Sequence, residues 1–227
     1  MKQIEKNTVS AEGQLQKSEF VSYLNAQGTG KRILFVGNSI TRHGVLPSIG
    51  WNNDWGMAAS DIEKDYVHIV MSEIRKSFDD TMFCICQVAN WERQYKNGED
   101  TFSQYEDARK FNADIIIMRC VENCPQEEFD HEVFTKQYGK LIDYLNASGK
   151  AEVILTTGFW ENTGDADIEH IAKERGYKLI YLGDLGEDDR MKAIGLFEHS
   201  GVANHPGDEG MQKIADRILE NIDIDKF

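Results

Sequence analysis

The chain has 227 residues, 41% of them hydrophobic, and sets 25 Lys and Arg against 39 Asp and Glu for a net charge of −14. That length and apolar content suit one α/β domain with a sizeable core. The charge repels phosphate, which excludes a general nucleic-acid binder and an anionic membrane surface as partners.

From the N-terminus, "MKQIEKNTVSAEGQLQKSEF" is charged throughout and has no apolar h-region. No later stretch approaches the ~18 uncharged residues of a membrane span, so the expected location is cytoplasmic. The segment "KSEFVSYLNAQ" reads as a peripheral helix closed by Gly28 and Gly30, making residues 1–30 an N-terminal extension and 31–227 the main domain. Five continuous apolar runs then follow: "RILFVG" (32–37), "TMFCICQVA" (81–89), "DIIIMRC" (114–120), "EVILTTG" (152–158) and "KLIYLG" (178–183). Continuous rather than alternating runs fit parallel strands covered on both faces.

Between the runs, apolar residues recur at three-to-four spacing, as at Ile62, Tyr66, Ile69, Val70 and Ile74, and again at Val133, Phe134, Tyr138, Leu141, Ile142 and Leu145. Met211, Ile214, Ala215, Ile218 and Leu219 form a last such face behind Asp208, a candidate N-cap. Alternating strands and helices predict a three-layer α/β/α sandwich around a five-stranded parallel, flavodoxin-like sheet. Cys84, Cys86, Cys120 and Cys124 lack paired spacing or a nearby His cluster, so reduced, buried thiols and no metal are expected.

Ligands of such sheets bind beyond the carboxyl ends of the strands. This chain places there Gly37-Asn38-Ser39, Asn90-Trp91-Glu92-Arg93, Glu122-Asn123, Gly158-Phe159-Trp160 and Asp184, with His205 in the loop before the last helix. Neither GxGxxG nor GxxxxGK[ST] follows the first strand, which argues against a nucleotide; Ser39 and Thr41 leave a phosphate or flavin cradle as a lesser reading. A serine nucleophile needs a base and oxyanion donors, and Ser39, His205 and Asn123 converge on one crevice in this topology.

These residues resemble the SGNH (GDSL-type) hydrolases. "VGNSIT" is similar to the family's first block, "DIIIMRCVEN" to its third and "NHPGDEGMQKIADRI" to its fifth. The resemblance implies Ser39 as nucleophile with its own N–H in the oxyanion hole, Asn123 as a further oxyanion donor and His205 as base. It makes residues 31–227 a hydrolase-like catalytic domain acting on a small-molecule ester without metal or organic cofactor.

The sequence departs from the family in three places. Val121-Glu122-Asn123-Cys124 keeps only the asparagine of the third block, and no glycine follows the second strand, which leaves the backbone of Asn90 or Trp91 as the second-block donor. Val202 stands where the acid three residues before the histidine belongs. The candidate orienting groups are Glu198, Asp184 or a backbone carbonyl. Trp51, Trp55, Trp91 and Trp160 are candidate substrate contacts that could stack on sugar faces or wall an acyl pocket. The expected activity is hydrolysis of a small, acetyl-like ester on a carbohydrate; a lipid or thioester hydrolase and a carbohydrate-binding or regulatory pseudoenzyme are the alternatives.

Overall fold

The computed structural model describes residues 20–223. Six strands form one sheet: β1 (Val21–Leu24), β2 (Arg32–Gly37), β3 (Met82–Gln87), β4 (Ile115–Arg119), β5 (Glu152–Thr156) and β6 (Lys178–Ile180). Their order is β1-β3-β2-β4-β5-β6. The five strands β2 to β6 are mutually parallel, as expected, and β1 adds an antiparallel edge against β3.

That edge strand corrects the expected N-terminal helix. Val21 pairs with Cys86 and Leu24 with Phe83, so residues 21–24 belong to the same sheet as the rest and the expected boundary at residue 30 does not separate them from it. Lys17–Glu19, the start of the expected helix, lie outside the described residues. Apolar residues clustered over so few positions fit a helical and an extended period alike, and the β-forming Val and Tyr gain a ladder only when β3 is alongside. Asn25, at φ 50°, turns the chain away, and its side-chain amide donates to the carbonyls of Asp79 and Thr81.

Both faces of the sheet are buried, which is why its strands read as unbroken apolar runs. Ile33, Phe35, Phe83, Ile85, Ile117 and Ile154 face one layer, formed by α1 (Tyr66–Arg75) and α8 (Asp208–Asn221). Leu34, Val36, Cys84, Cys86, Ile116, Met118 and Leu155 face the other, formed by α3 (Glu106–Phe111), α4 (His131–Leu145) and α5 (Asp165–Arg175). Each such side chain, fully buried, contributes roughly 1.5–3 kcal/mol before entropy is counted. All four cysteines are buried and unbridged.

Two expected helices shift at their starts. Asp61 and Asp65 each accept from a backbone N–H two or three residues on, so the pattern beginning at Ile62 breaks into a 3₁₀ turn (Ile62–Lys64) followed by α1. Gly207 occupies the cap position of α8, while the Asp208 carboxylate accepts from the Ser60 N–H and hydroxyl and pairs with Lys64. The topology matters for function because β2 starts at the centre. The chain passes to β3 on one side and β4 on the other, so the carboxyl end of β2 faces the switch-point crevice.

Candidate active site

The β2 strand ends at Gly37, a position where nothing larger fits. A Cβ at this position would lie 1.9 Å from Thr41 Oγ1 and 2.9 Å from the Arg119 carbonyl oxygen. A tight turn follows, in which the Asn38 carbonyl accepts from the N–H groups of Thr41 and Arg42. Ser39 sits on that turn, partly exposed, and its carbonyl accepts from Met57 N–H in the long loop before α1.

His205 arrives from the opposite end of the chain. The short helix α7 (Ser200–Ala203) is followed by a turn in which His205 N–H donates to Val202, and Ala193 N–H donates to the His205 carbonyl. The ring is thereby fixed with Nε2 2.8 Å from Ser39 Oγ and Nδ1 2.7 Å from the Gly201 carbonyl oxygen. A carbonyl only accepts, so Nδ1 carries the proton and Nε2 offers its lone pair to the serine hydroxyl. The Trp160 ring stands perpendicular to the imidazole with centroids 5.6 Å apart. The imidazole pKa is lowered to about 4, mainly by burial; the Gly201 carbonyl opposes that fall, and the charges of Arg119 and His43 add to it.

Neither carboxylate expected behind the histidine occupies that place. Asp184 forms a two-pronged ion pair with Arg217 (2.6 and 2.7 Å), and Glu198 is exposed on the loop before α7. Val202 is fully buried in a cluster with Trp51, Met57, Ala58 and Ala193. The α7 turn that buries it presents the Gly201 carbonyl to the ring instead.

Asn123 is tied to the serine turn through groups the sequence left without a role. Glu92, buried at the carboxyl end of β3 in α2 (Ala89–Arg93), accepts from Asn38 Nδ2 at 2.9 Å on Oε1 and from Asn123 Nδ2 at 2.6 Å on Oε2. Asn38 Nδ2 also donates to Glu122 Oε2 at 2.6 Å. Arg119, fully buried at the end of β4, donates to Glu122 and to Asn38 Oδ1, and Phe159 N–H donates to Glu122 at 3.0 Å. Two carboxylates thus lie near one guanidinium, which pairs directly with Glu122 and reaches Glu92 only through its field and through Asn38. Glu122, against Arg119, is held below the usual carboxylate range despite its burial. Glu92 is pushed up to about 7 by burial and by the charge of Glu122. A guanidinium at the end of an otherwise apolar strand run was the signal for this network, since such a charge is buried only with partners.

The remaining candidates separate. The Asn90 side chain donates to Gln104 at 3.2 Å, and its backbone N–H lies in the first turn of α2. Trp91 is fully buried between Phe134 and Tyr138, and Trp51 is fully buried against Trp55 and Phe197, so neither is placed to touch a ligand. Trp55 and Trp160 keep some exposure, and only Trp160 packs on His205. Among the described residues, no group of three or more His, Cys, Asp or Glu side chains could hold a metal ion, and no helix is long and apolar enough to cross a membrane.

No protein-family model and no curated protein matches this sequence. Solved structures match in architecture. A family two carbohydrate esterase from Clostridium thermocellum, solved with cellohexaose, superposes with a TM-score of 0.56 at 15% identity, over 85% of this chain and 63% of that one. A two-domain esterase (CEX) active on acetylated mannans gives 0.54 at 19% identity over 89% of this chain, which spans about half (50%) of that enzyme's length. A member of the lipolytic protein G-D-S-L family from Veillonella parvula gives 0.50 at 17% identity, over 85% of this chain and 98% of that one. The fold is the SGNH, or GDSL-type, hydrolase fold. Within it the first and last SGNH-like blocks of this chain meet at the Ser39–His205 hydrogen bond.

Proposed function

We propose that this protein is a serine esterase that removes small acyl groups, acetate foremost, from a carbohydrate. The observation that carries the reading is the 2.8 Å contact between Ser39 Oγ and His205 Nε2, backed by a carbonyl on Nδ1. Ser39 attacks the ester carbonyl while His205 takes its proton, and the developing oxyanion is met by the Ser39 N–H and the Asn123 amide. His205 returns the proton to the departing sugar hydroxyl. Water, deprotonated by the same imidazole, then attacks the acyl-serine and releases the acid.

The Gly201 carbonyl takes over the tautomer-fixing part of the usual acid's work, the part whose loss costs ~10⁴ in rate in a serine protease. It brings no full negative charge to stabilise the imidazolium, so the dyad works without that electrostatic help. The carbohydrate part of the proposal is supported by the two carbohydrate-directed esterases among the structural neighbours and by Trp160, a partly exposed aromatic beside the base. The test is labelling by a fluorophosphonate together with acetate release from acetylated manno-oligosaccharides. Both are expected in wild type and absent in Ser39→Ala, with His205→Ala losing at least 10³-fold in kcat. A folded wild type that neither labels nor releases acetate refutes the proposal.

A further inference from the structure

The buried Glu92 carboxylate has no part in the proton transfers above, yet it grips the two asparagines that flank the chemistry. It accepts from Asn38, the residue before Ser39 on the β2 turn, and from Asn123 on the loop after β4. These segments lie 31 and 54 residues from Glu92 in sequence and belong to the strands on either side of the switch point. We propose that Glu92 is the positioning residue of the oxyanion hole, and that its ionisation switches the hole between a set and an unset state. The inference rests on the esterase reading for the role of Asn123.

The argument is one of donors and acceptors. An amide nitrogen has two hydrogens. Glu92 takes one from Asn123, fixing the plane of the amide and leaving the second free for an oxyanion. On the other side Asn38 is committed completely: its nitrogen donates to both Glu92 and Glu122, and its oxygen accepts from Arg119. The orientation of Asn38 is therefore dictated, and both oxygens of Glu92 must act as acceptors. Only the ionised carboxylate offers two unprotonated oxygens to two donors. Protonation turns one of the two oxygens into a hydroxyl, which has no charge and is a much poorer acceptor, so the contact to Asn38 or to Asn123 on that oxygen is weakened. The Asn38 side chain is held by four partners, Glu92, Glu122, Arg119 and the Ile40 N–H, and Asn123 by Glu92, so Asn123 is the one that moves.

The groups around Glu92 set where this happens. Glu122 raises its proton affinity, and Arg119, Asn38 and Asn123 lower it; Cys120 and Cys124 on the loop after β4 and Tyr138 on α4, packed nearby, have their own proton affinities raised and stay neutral. The balance lies at about 7. The oxyanion hole is thus set above neutral pH and progressively released below it, separately from His205, which protonates only near 4.

The test compares Glu92→Gln and Glu92→Asp with wild type. Gln keeps the shape but presents one oxygen and one NH₂, imitating the protonated state. In wild type, kcat/KM is expected to step down as pH falls through about 7, and Glu92→Gln is expected to lose this step and to show a kcat lowered ~10–100-fold with KM changed less than about threefold, approaching loss of one oxyanion donor. Glu92→Asp should recover part of the rate and retain a step. In an Asn123→Ala background, Glu92→Gln should cost no further activity, which a purely structural role would not produce. Independently of activity, the side-chain amide NMR signals of Asn38 and Asn123 should titrate together near pH 7 in wild type and lose that titration in Glu92→Gln. Absence of a shared titration overturns the proposal even if the enzyme is active, and additive losses in the double variant overturn it likewise. Loss of activity with the titration intact refutes the esterase reading instead.

Discussion

Replacing Arg119 by Met removes the single cation from a fully buried site in which Glu122 and Asn38 both depend on it. Breaking a buried ion pair by deleting one partner costs about 3–5 kcal/mol, because the surviving charge stays desolvated. Set against a total stability of ~5–15 kcal/mol, this is a large fraction. With an unfolding entropy of ~2.1 cal/mol/K per residue over the chain, ~0.48 kcal/mol/K, the loss corresponds to a fall in Tm of roughly 6–10 °C. The sign with pH follows from Glu122, whose pKa Arg119 holds down in the folded state. A depressed carboxylate stabilises the fold above its unfolded pKa and loses that contribution as pH falls through its folded pKa. The variant lacks this contribution and can relieve the orphaned charge by protonating Glu122. The deficit should therefore be largest near pH 8 and shrink toward pH 4. Thermal melts of wild type, Arg119→Met and Arg119→Met/Glu122→Gln across that range measure it, with the double variant expected to recover much of the loss. An Arg119→Met protein within about 1 °C of wild type at pH 8, or a double variant no more stable than the single, refutes the reasoning.

Three further outcomes follow. Below the neutral step assigned to Glu92, kcat/KM should hold to an acid limb near pH 4, where His205 protonates, instead of near the ordinary imidazole value of about 6.5; a limb at 6.5 that persists in Glu92→Gln would show that burial does not govern the base. Val202→Asp, which installs an acid three residues before the histidine, should fail to raise kcat, because Nδ1 is already bonded to Gly201, and should cost ~3 kcal/mol or more by burying a carboxylate in an apolar cluster; a faster and equally stable variant would contradict the assignment of the carbonyl. Trp91→Ala should destabilise by ~3–5 kcal/mol in a denaturant titration, whereas Trp160→Ala should chiefly lower kcat/KM, so equal stability losses would remove the distinction between core and site tryptophan.

Much of this was legible along the chain because it depends on local pattern. Unbroken runs such as Ile33 to Val36 declare a strand buried on both faces, and the three-to-four spacing in residues 133–145 declares a helix with one buried stripe. Bringing Ser39, Asn123 and His205 to one crevice then followed from the rule that parallel sheets bind ligands beyond the carboxyl ends of their strands. The edge strand Val21–Leu24 was not legible, since its four residues become extended only by pairing with β3, 65 positions away at its first register pair, Val21–Cys86.

The site divides along the same line. Residue order along the chain was enough to name the atoms that could do chemistry: a hydroxyl after β2, an amide after β4 and an imidazole before α8. What stands behind them emerges from the folded arrangement. The group on His205 Nδ1 is a main-chain carbonyl, which every residue possesses and no sequence motif marks. The group behind Asn123 is Glu92, a carboxylate whose role depends on burial and on Arg119, Glu122 and Asn38 arriving from two other strand ends. Desolvation and donor counting act through space, and they become readable only once the chain has brought those groups together.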